Sequence, residues 1–375
     1  MSEPQPTTFS LQPRAARLIS LIFVLVCSAP LMVTCGEIVS GQAHARPAFP
    51  ARPQSASQLI TWPERFVDYF SENFGLRDSL LNLHVAVKLR LFGPDAGPRV
   101  LHGNDGWLFF ADEGVLDYTR GRPPFTPQEL DAWTQLFTKR KQWLAERGIR
   151  YVVMVCPNSH SIYPEHLRSH LPLNPRHTRL DQLIEALHGK VDILDLRKPL
   201  RAAKHTWRLY HKTDTHWNLI AGKLAAQELF GWASGTEDSR PFDERIGTVT
   251  PHERPGGDLS RFLGLEHSWV ESDLVPDDYR PAKSSSGQPI PENYMNVHMA
   301  GDVTTVSTQP GRVLVFSDSF GQVVLPWTAV HFGRVRWIWT DGFYRNVVEQ
   351  EKPDIVVQQF VERKLQWLNP REVGE

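Results

Sequence analysis

Two short stretches carry the residue types of nucleophilic acyl chemistry. The first is Arg312–Gly321, RVLVFSDSFG, where an apolar run closes on two serines, an aspartate and a glycine. A serine at the carboxyl end of a parallel strand stands at the sheet edge where α/β proteins bind substrates. It also lies near the N-terminus of a following helix, whose N–H groups can stabilise an oxyanion. Taken alone, Ser317, Asp318 and Ser319 have a commoner use, capping a helix. The second stretch is Tyr210–Asn218, YHKTDTHWN. In an extended segment Asp214 and His216 would project to one side, so that the carboxylate sets the tautomer and orientation of the imidazole. The same stretch reads equally as a loop with a helix cap at Asn218 before Leu219 to Phe230. Together the two stretches supply hydroxyl, imidazole and carboxylate, a set whose chain order is free to vary between folds.

Such groups need rigid elements to bring them together. Thr126-Pro127-Gln128-Glu129 has capping-box spacing with proline at the first helical position, and Leu130, Trp133, Phe137 and Leu144 follow on one face before Gly148. A buried-strand pattern follows from Arg150 to Val155, and the order repeats as a helix from Thr178 to His188 and a strand from Val191 to Leu194. Further strands are expected at Val313–Phe316, Val335–Trp339 and Asp354–Val357. Helices alternating with short apolar strands predict an α/β fold, a mostly parallel sheet covered on both faces. Between Asp277 and Gly311 the chain turns polar, with KSSSGQP at Lys283–Pro289, and a surface excursion is expected there.

The chain has 375 residues, 41% of them hydrophobic, enough for a large core. Its 41 Lys+Arg balance 42 Asp+Glu, so no overall cationic field attracts phosphate backbones, and nucleic acid is excluded as an expected partner. The three cysteines, Cys27, Cys35 and Cys156, show no CxxC or Cys/His zinc spacing, and neither a metal nor a cofactor is expected. Cys156, at a strand end without an adjacent base, reads as a buried small hydrophobe. Leu18–Cys35 contains no charged side chain, and as a helix it would span about 27 Å, enough for a hydrocarbon core. Arg14 and Arg17 precede it, placing the N-terminus inside and the bulk of the protein outside the membrane. A cleaved signal peptide ending at Ala43-His44-Ala45 competes with this anchor. The expected organisation is a basic cytoplasmic terminus at 1–17, a transmembrane signal anchor at 18–35, a Pro-rich spacer at 36–63 and a globular domain at 64–375. That domain would open with two helices around a turn, carrying Phe66, Tyr69, Phe70 and Phe74 and then Leu80, Leu83, Val87 and Leu91.

Several runs in succession resemble the alginate O-acetyltransferase group (AlgJ/AlgX-like). They are YFSENFGLRDSL (Tyr69–Leu80), HGNDGWLFF (His102–Phe110), PNSHSIYPEHL (Pro157–Leu167), KTDTHWN (Lys212–Asn218), GDLSRFLGL (Gly257–Leu265), SDSF (Ser317–Phe320) and PDIVVQQFVER (Pro353–Arg363). The resemblance implies a three-layer α/β/α sandwich of the SGNH-hydrolase type, with Ser319 as nucleophile, His216 as general base and Asp214 as its orienting carboxylate. Ser317 stands where the family usually has glycine, and Ser159 lies near where relatives often carry lysine. It further implies acetyl transfer through an acetyl-serine onto an exported polysaccharide, alginate or a similar exopolysaccharide, with no acetyl-coenzyme A. The donor would be a membrane-bound O-acyltransferase partner, and the catalytic domain would sit in the periplasm, anchored to the inner membrane. Tyr163, Trp217 and Asn158 are the expected substrate contacts, the rings facing a sugar and Asn158 near the oxyanion. A carbohydrate acetylesterase using the same residues, or a catalytically silent polysaccharide-binding scaffold, fits the same sequence.

Overall fold

The computed structural model describes residues 13–39 and 49–73, a few positions between 76 and 87, and residues 99–370 except 169–176, 237, 266–268 and 282–302. The chain divides into two compact units, Met1–Arg90 and Leu91–Glu375. The KSSSGQP stretch, the Ala43-His44-Ala45 site and most of the second expected lead-in helix lie outside the described residues.

In the N-terminal unit, helix α1 (Pro13–Val39) contains the apolar run, and Leu18, Ile19, Leu21, Ile22 and Phe23 are exposed along it. Among the described residues no helix is long and apolar enough to cross a membrane. Helix α2 (Ala56–Asn73) corrects the expected spacer, because it begins before Pro63 and carries that proline in its interior. An interior proline costs roughly 3 kcal/mol relative to alanine. Trp62 stacks on Phe66 at 5.3 Å, and Phe49 meets Phe66 edge-on at 6.1 Å, tying together the turns on either side of it.

The second unit is built on a six-stranded sheet in the order β4-β3-β10-β8-β9-β7. Its strands are β3 (Arg150–Cys156), β4 (Asp192–Asp195), β7 (Val303–Val306), β8 (Arg312–Ser317), β9 (Arg334–Trp339) and β10 (Ile355–Val361). The first five strands in that order run parallel. β7 pairs antiparallel with β9 and closes one edge, a strand within the stretch expected to be a surface excursion. The period-2 geometry of β3 sends Tyr151, Val153 and Val155 to one face and Val152, Met154 and Cys156 to the other. The first face packs on helices α3 (Pro127–Ala145) and α4 (Arg179–Leu187) through Trp133, Phe137, Leu180 and Leu183. The second packs on α5 (Leu219–Ser234) and α7 (Leu325–His331) through Ile220, Leu224, Leu325 and Trp327. The result is the expected three-layer α/β/α architecture with a mixed, mostly parallel sheet. Two short hairpins stand beside it: β1 (Val100–His102) with β2 (Leu108–Phe110), and β5 (Val249–Pro255) with β6 (Val270–Pro276).

Both capping boxes form: Thr126 with Glu129 starts α3, and Thr178 with Asp181 starts α4. Asn218 caps α5 by accepting from Ala221 N at 3.2 Å. α5 then approaches the backbone of Val323 so closely that a side chain at Gly222 would collide with that carbonyl. Gly222 thus sets how near the cap of α5 comes to the segment after Ser319. Gly222→Ala is expected to destabilise the protein by about 1–3 kcal/mol through overpacking, read as a lower urea midpoint with an unchanged slope.

Candidate active site

The serine side of the site begins where β8 ends. Ser317 is fully buried and its hydroxyl donates to the carbonyl of Asp318 at 2.7 Å. A side chain at Gly321 would occupy the space of the Ser317 hydroxyl, so this glycine makes room for the buried serine. Asp318 is the capping residue: one oxygen accepts from Phe320 N at 3.0 Å and the other from Val361 N at 2.8 Å. The next residues, Ser319–Gly321, form a single 3-10 turn. Ser319 itself is only partly buried.

The histidine side is a tight loop rather than the expected extended segment. An antiparallel bridge between Tyr210 and Trp217 closes it, with Asn218 N donating to Leu209 O at 2.9 Å. Inside the loop one Asp214 oxygen accepts both from the backbone N–H of His216 at 3.0 Å and from its Nδ1 at 2.7 Å. A turn held by a short side chain places the carboxylate and imidazole together, where strand alternation was expected to do so. His216 Nε2 lies 2.9 Å from Ser319 Oγ. The three residues from distant stretches therefore form one continuous hydrogen-bonded chain.

Burial and charge define its electrostatics. Asp214 is 3% exposed. Burial would raise its pKa, but the His216 hydrogen bond and the charges of His216, His211 and Arg254 hold it well below the usual carboxylate range. Arg254 NH2 reaches its second oxygen at 3.3 Å. Burial would likewise lower the pKa of His216, yet the hydrogen bond and charge of Asp214, joined by the charge of Asp258, hold it above the ordinary imidazole value. Asp214, His216 and Asp258 place ligand-type atoms within 4.8 Å of one another. Nδ1 of His216, however, is already engaged by Asp214, and the outer oxygens face Arg254 and Thr215, so the donor set is satisfied by protons.

Asn158 follows β3 and is 2% exposed. Its carboxamide oxygen accepts from Arg363 NH1 at 3.2 Å, while its Nδ2 donor has no hydrogen-bond partner among the described residues. Arg363 also lies 5.4 Å over the ring of Phe320, linking Asn158 to the serine turn. The sugar-facing roles expected for Trp217 and Tyr163 are corrected. Trp217 is fully buried and donates from Nε1 to Phe320 O at 2.9 Å. Tyr163, 5% exposed, packs in the same core and accepts from Leu209 N at 2.9 Å. Both rings are closed off by neighbours and hold the loop instead. Cys156 is buried, and burial with the nearby Asp318 charge pushes its thiol well up.

Residue reasoning missed Arg254, Gly257, Asp258 and Arg363. Three of them lie within the runs GDLSRFLGL and PDIVVQQFVER, but no spacing rule ties them to His216. Gly257 N donates to Thr213 Oγ1 at 2.9 Å, and a side chain at Gly257 would collide with the carboxylate of Asp214. Gly257→Ala is expected to displace Asp214 and slow labelling of Ser319 by phenylmethanesulfonyl fluoride roughly 10- to 100-fold. Labelling at the wild-type rate in a folded variant would show that this close approach is dispensable.

The family model described as the SGNH hydrolase-like domain of acetyltransferase AlgX matches residues 100–308, which include Asp214 and His216 and end before Ser319. The chain is 27% identical over 261 residues to the probable alginate O-acetylase AlgJ of Pseudomonas aeruginosa, covering 68% of this chain and 63% of that relative. The chain thus spans less than two thirds of that relative's length. Among solved structures it is similar to Bacillus cereus PatB1, with a TM-score of 0.49, 17% identity and coverage of 72% of this chain and 96% of that one. It is also similar to the O-acetyltransferase domain of Pseudomonas putida AlgJ, with a TM-score of 0.43, 18% identity and coverage of 72% and 93%. With more than half of its length matched by that model, the chain belongs to the SGNH hydrolase-like, AlgX-type acetyltransferase family.

Proposed function

We propose that the protein is a polysaccharide O-acetyltransferase that works through an acetyl-serine at Ser319. The observation that carries this reading is the unbroken chain from Ser319 Oγ through the His216 imidazole to the buried Asp214 carboxylate, at 2.9 and 2.7 Å. His216 Nε2 accepts the Ser319 proton as Oγ attacks the carbonyl carbon of a donor ester, and Asp214 steadies the imidazolium that forms. The imidazolium then protonates the leaving alcohol. In the second half a sugar hydroxyl gives its proton to His216 and attacks the acetyl-serine, and the proton returns to Ser319 as the acetylated sugar departs.

Both halves develop a carbonyl oxyanion. Asn158 Nδ2, without a partner among the described residues and on a carboxamide that Arg363 orients, and the backbone N–H of Ser319 are the donors assigned to it. Phe262 is 47% exposed and its ring lies 6.4 Å from Phe110, over which Arg363 sits, so it offers a face for a sugar that Trp217 and Tyr163 cannot. The acceptor class, alginate or a similar exopolysaccharide, follows the naming of the relatives. From the sequence alone, the charge-free run Leu18–Cys35 behind Arg14 and Arg17 suggests an inner-membrane anchor with the sheet domain in the periplasm, although no described helix is long and apolar enough to span a membrane. There a membrane-bound O-acyltransferase would supply the acetyl group.

Incubated with an activated acetyl ester and an oligosaccharide, the protein is expected to yield acetylated sugar. Ser319→Ala, His216→Ala and Asp214→Asn should each lower that rate roughly 10⁴-fold. Asn158→Ala should lower it about 100-fold. Free acetate as the sole product would replace transferase by esterase, and wild-type transfer by Ser319→Ala would remove the serine mechanism altogether.

A further inference from the structure

A second carboxylate stands on the Nδ1 side of His216. Asp258 opens the short helix α6 (Asp258–Phe262), and its oxygens accept from Thr215 N at 2.7 Å and from Thr215 Oγ1 at 2.5 Å. The second oxygen lies 3.6 Å from His216 Nδ1, and Thr215 Oγ1 itself is 3.2 Å from that nitrogen. The placement is built rather than incidental. Leu259 N and Ser260 N both reach Thr213 O, at 3.1 and 3.2 Å, and Gly257 N reaches Thr213 Oγ1, so the start of α6 is bolted onto the 213–216 loop.

We infer that Asp258 is a positioning residue for His216, a second carboxylate that clamps Thr215 and shares the charge of the imidazolium with Asp214. The inference rests on the reading of His216 as general base. Asp214 makes the shorter bond to the ring, 2.7 Å to Nδ1; Asp258 fixes the intervening Thr215 and adds negative charge 3.6 Å from the same nitrogen. Two carboxylates so close cannot ionise independently. Burial first, and then the charge of Asp214, hold the Asp258 acid up to about 6. Asp258 is therefore ionised at neutral pH, beside the imidazole nitrogen that Asp214 engages. The other charged groups facing the site are Arg363, which opposes imidazolium formation, and Arg254 and His211, which act through Asp214.

The sign follows. Without the Asp258 charge the imidazolium is less favoured, so His216 loses its proton at lower pH. The acid limb of kcat/KM, where protonated His216 cannot serve as base, then moves down with it.

The test is an imidazole ¹⁵N NMR titration of His216 in the full chain, alongside the pH profile of acetyl transfer. Asp258→Asn is expected to lower the His216 midpoint and the acid limb together by about one pH unit, and to reduce the maximal rate about tenfold. Asp258→Glu, which keeps the charge, should leave the midpoint within a few tenths of a unit of wild type. An unmoved midpoint in folded Asp258→Asn overturns the inference, because a purely structural clamp would lower the rate without shifting the titration. Should Asp258→Asn fail to fold, the wild type decides: the His216 resonance must show a second inflection as Asp258 titrates, and a single smooth transition overturns the inference. The NMR readout is independent of acyl transfer, whereas the acetyl-serine reading fails only if Ser319→Ala stays active.

Discussion

The site depends on keeping one carboxylate ionised where water is nearly absent. An isolated buried carboxylate would neutralise itself rather than bear its desolvation cost, and a protonated Asp214 could not hold the imidazole. The fold answers with donors on every side: the His216 backbone and Nδ1 on one oxygen, Arg254 on the other. Each donor constrains geometry as well as charge. The loop from Tyr210 to Trp217 has to turn tightly, β5 has to deliver Arg254, and α6 has to arrive through a residue without a side chain at Gly257.

The parallel sheet supplies the complementary half. β10 lies between β3 and β8, so the ends of all three strands are held in one register. The residues just past those ends are Asn158, the Asp318–Ser319 turn, and Glu362 with Arg363, and hydrogen bonds cross between them. Val361 N binds Asp318, Asn158 N binds Glu362 at 2.8 Å, and Arg363 binds Asn158. Glu362 is fully buried, and its acid is raised by that burial against the pull of Arg197 and its hydrogen-bond donors. A shift of one strand end would therefore be felt at Ser319 and at the Asn158 amide together, which suits the proposed site, whose donors have to be arranged before charge develops.

Within SDSF the roles of three adjacent polar residues separate cleanly once packing is known. Ser317 faces the core, Asp318 caps the turn, and Ser319 alone meets the imidazole. Capping and contact with the imidazole are thus not alternatives here, since the turn that Asp318 caps is the one that carries Ser319. Trp217 and Tyr163 show the opposite outcome. Aromatic residues beside reactive ones read as sugar platforms in one dimension, but the bridge that closes the loop turns both rings inward.

Local rules decide what a sequence can settle by itself. The capping boxes at Thr126 and Thr178, the cap at Asn218 and the β-branched runs of β3, β8, β9 and β10 are short-range, and hence the layered α/β architecture was legible from residue types and periods. So was the meeting of Ser319, His216 and Asp214, once the motif resemblance singled out Ser319. The helix through Pro63 and the edge strand β7 were not, because stacking partners and a neighbouring strand outweigh local propensity. The tertiary structure alone decided that Asp214 and His216 meet in a turn, that Arg254 and Asp258 join them, and that Arg363 orients Asn158. The Asp214–His216 turn is local but is closed by its bridge, whereas the Arg254 and Arg363 contacts link positions 40 and 205 residues apart and the approach of α6 hangs on the missing side chain of Gly257, and no periodicity of the chain encodes contacts of that kind.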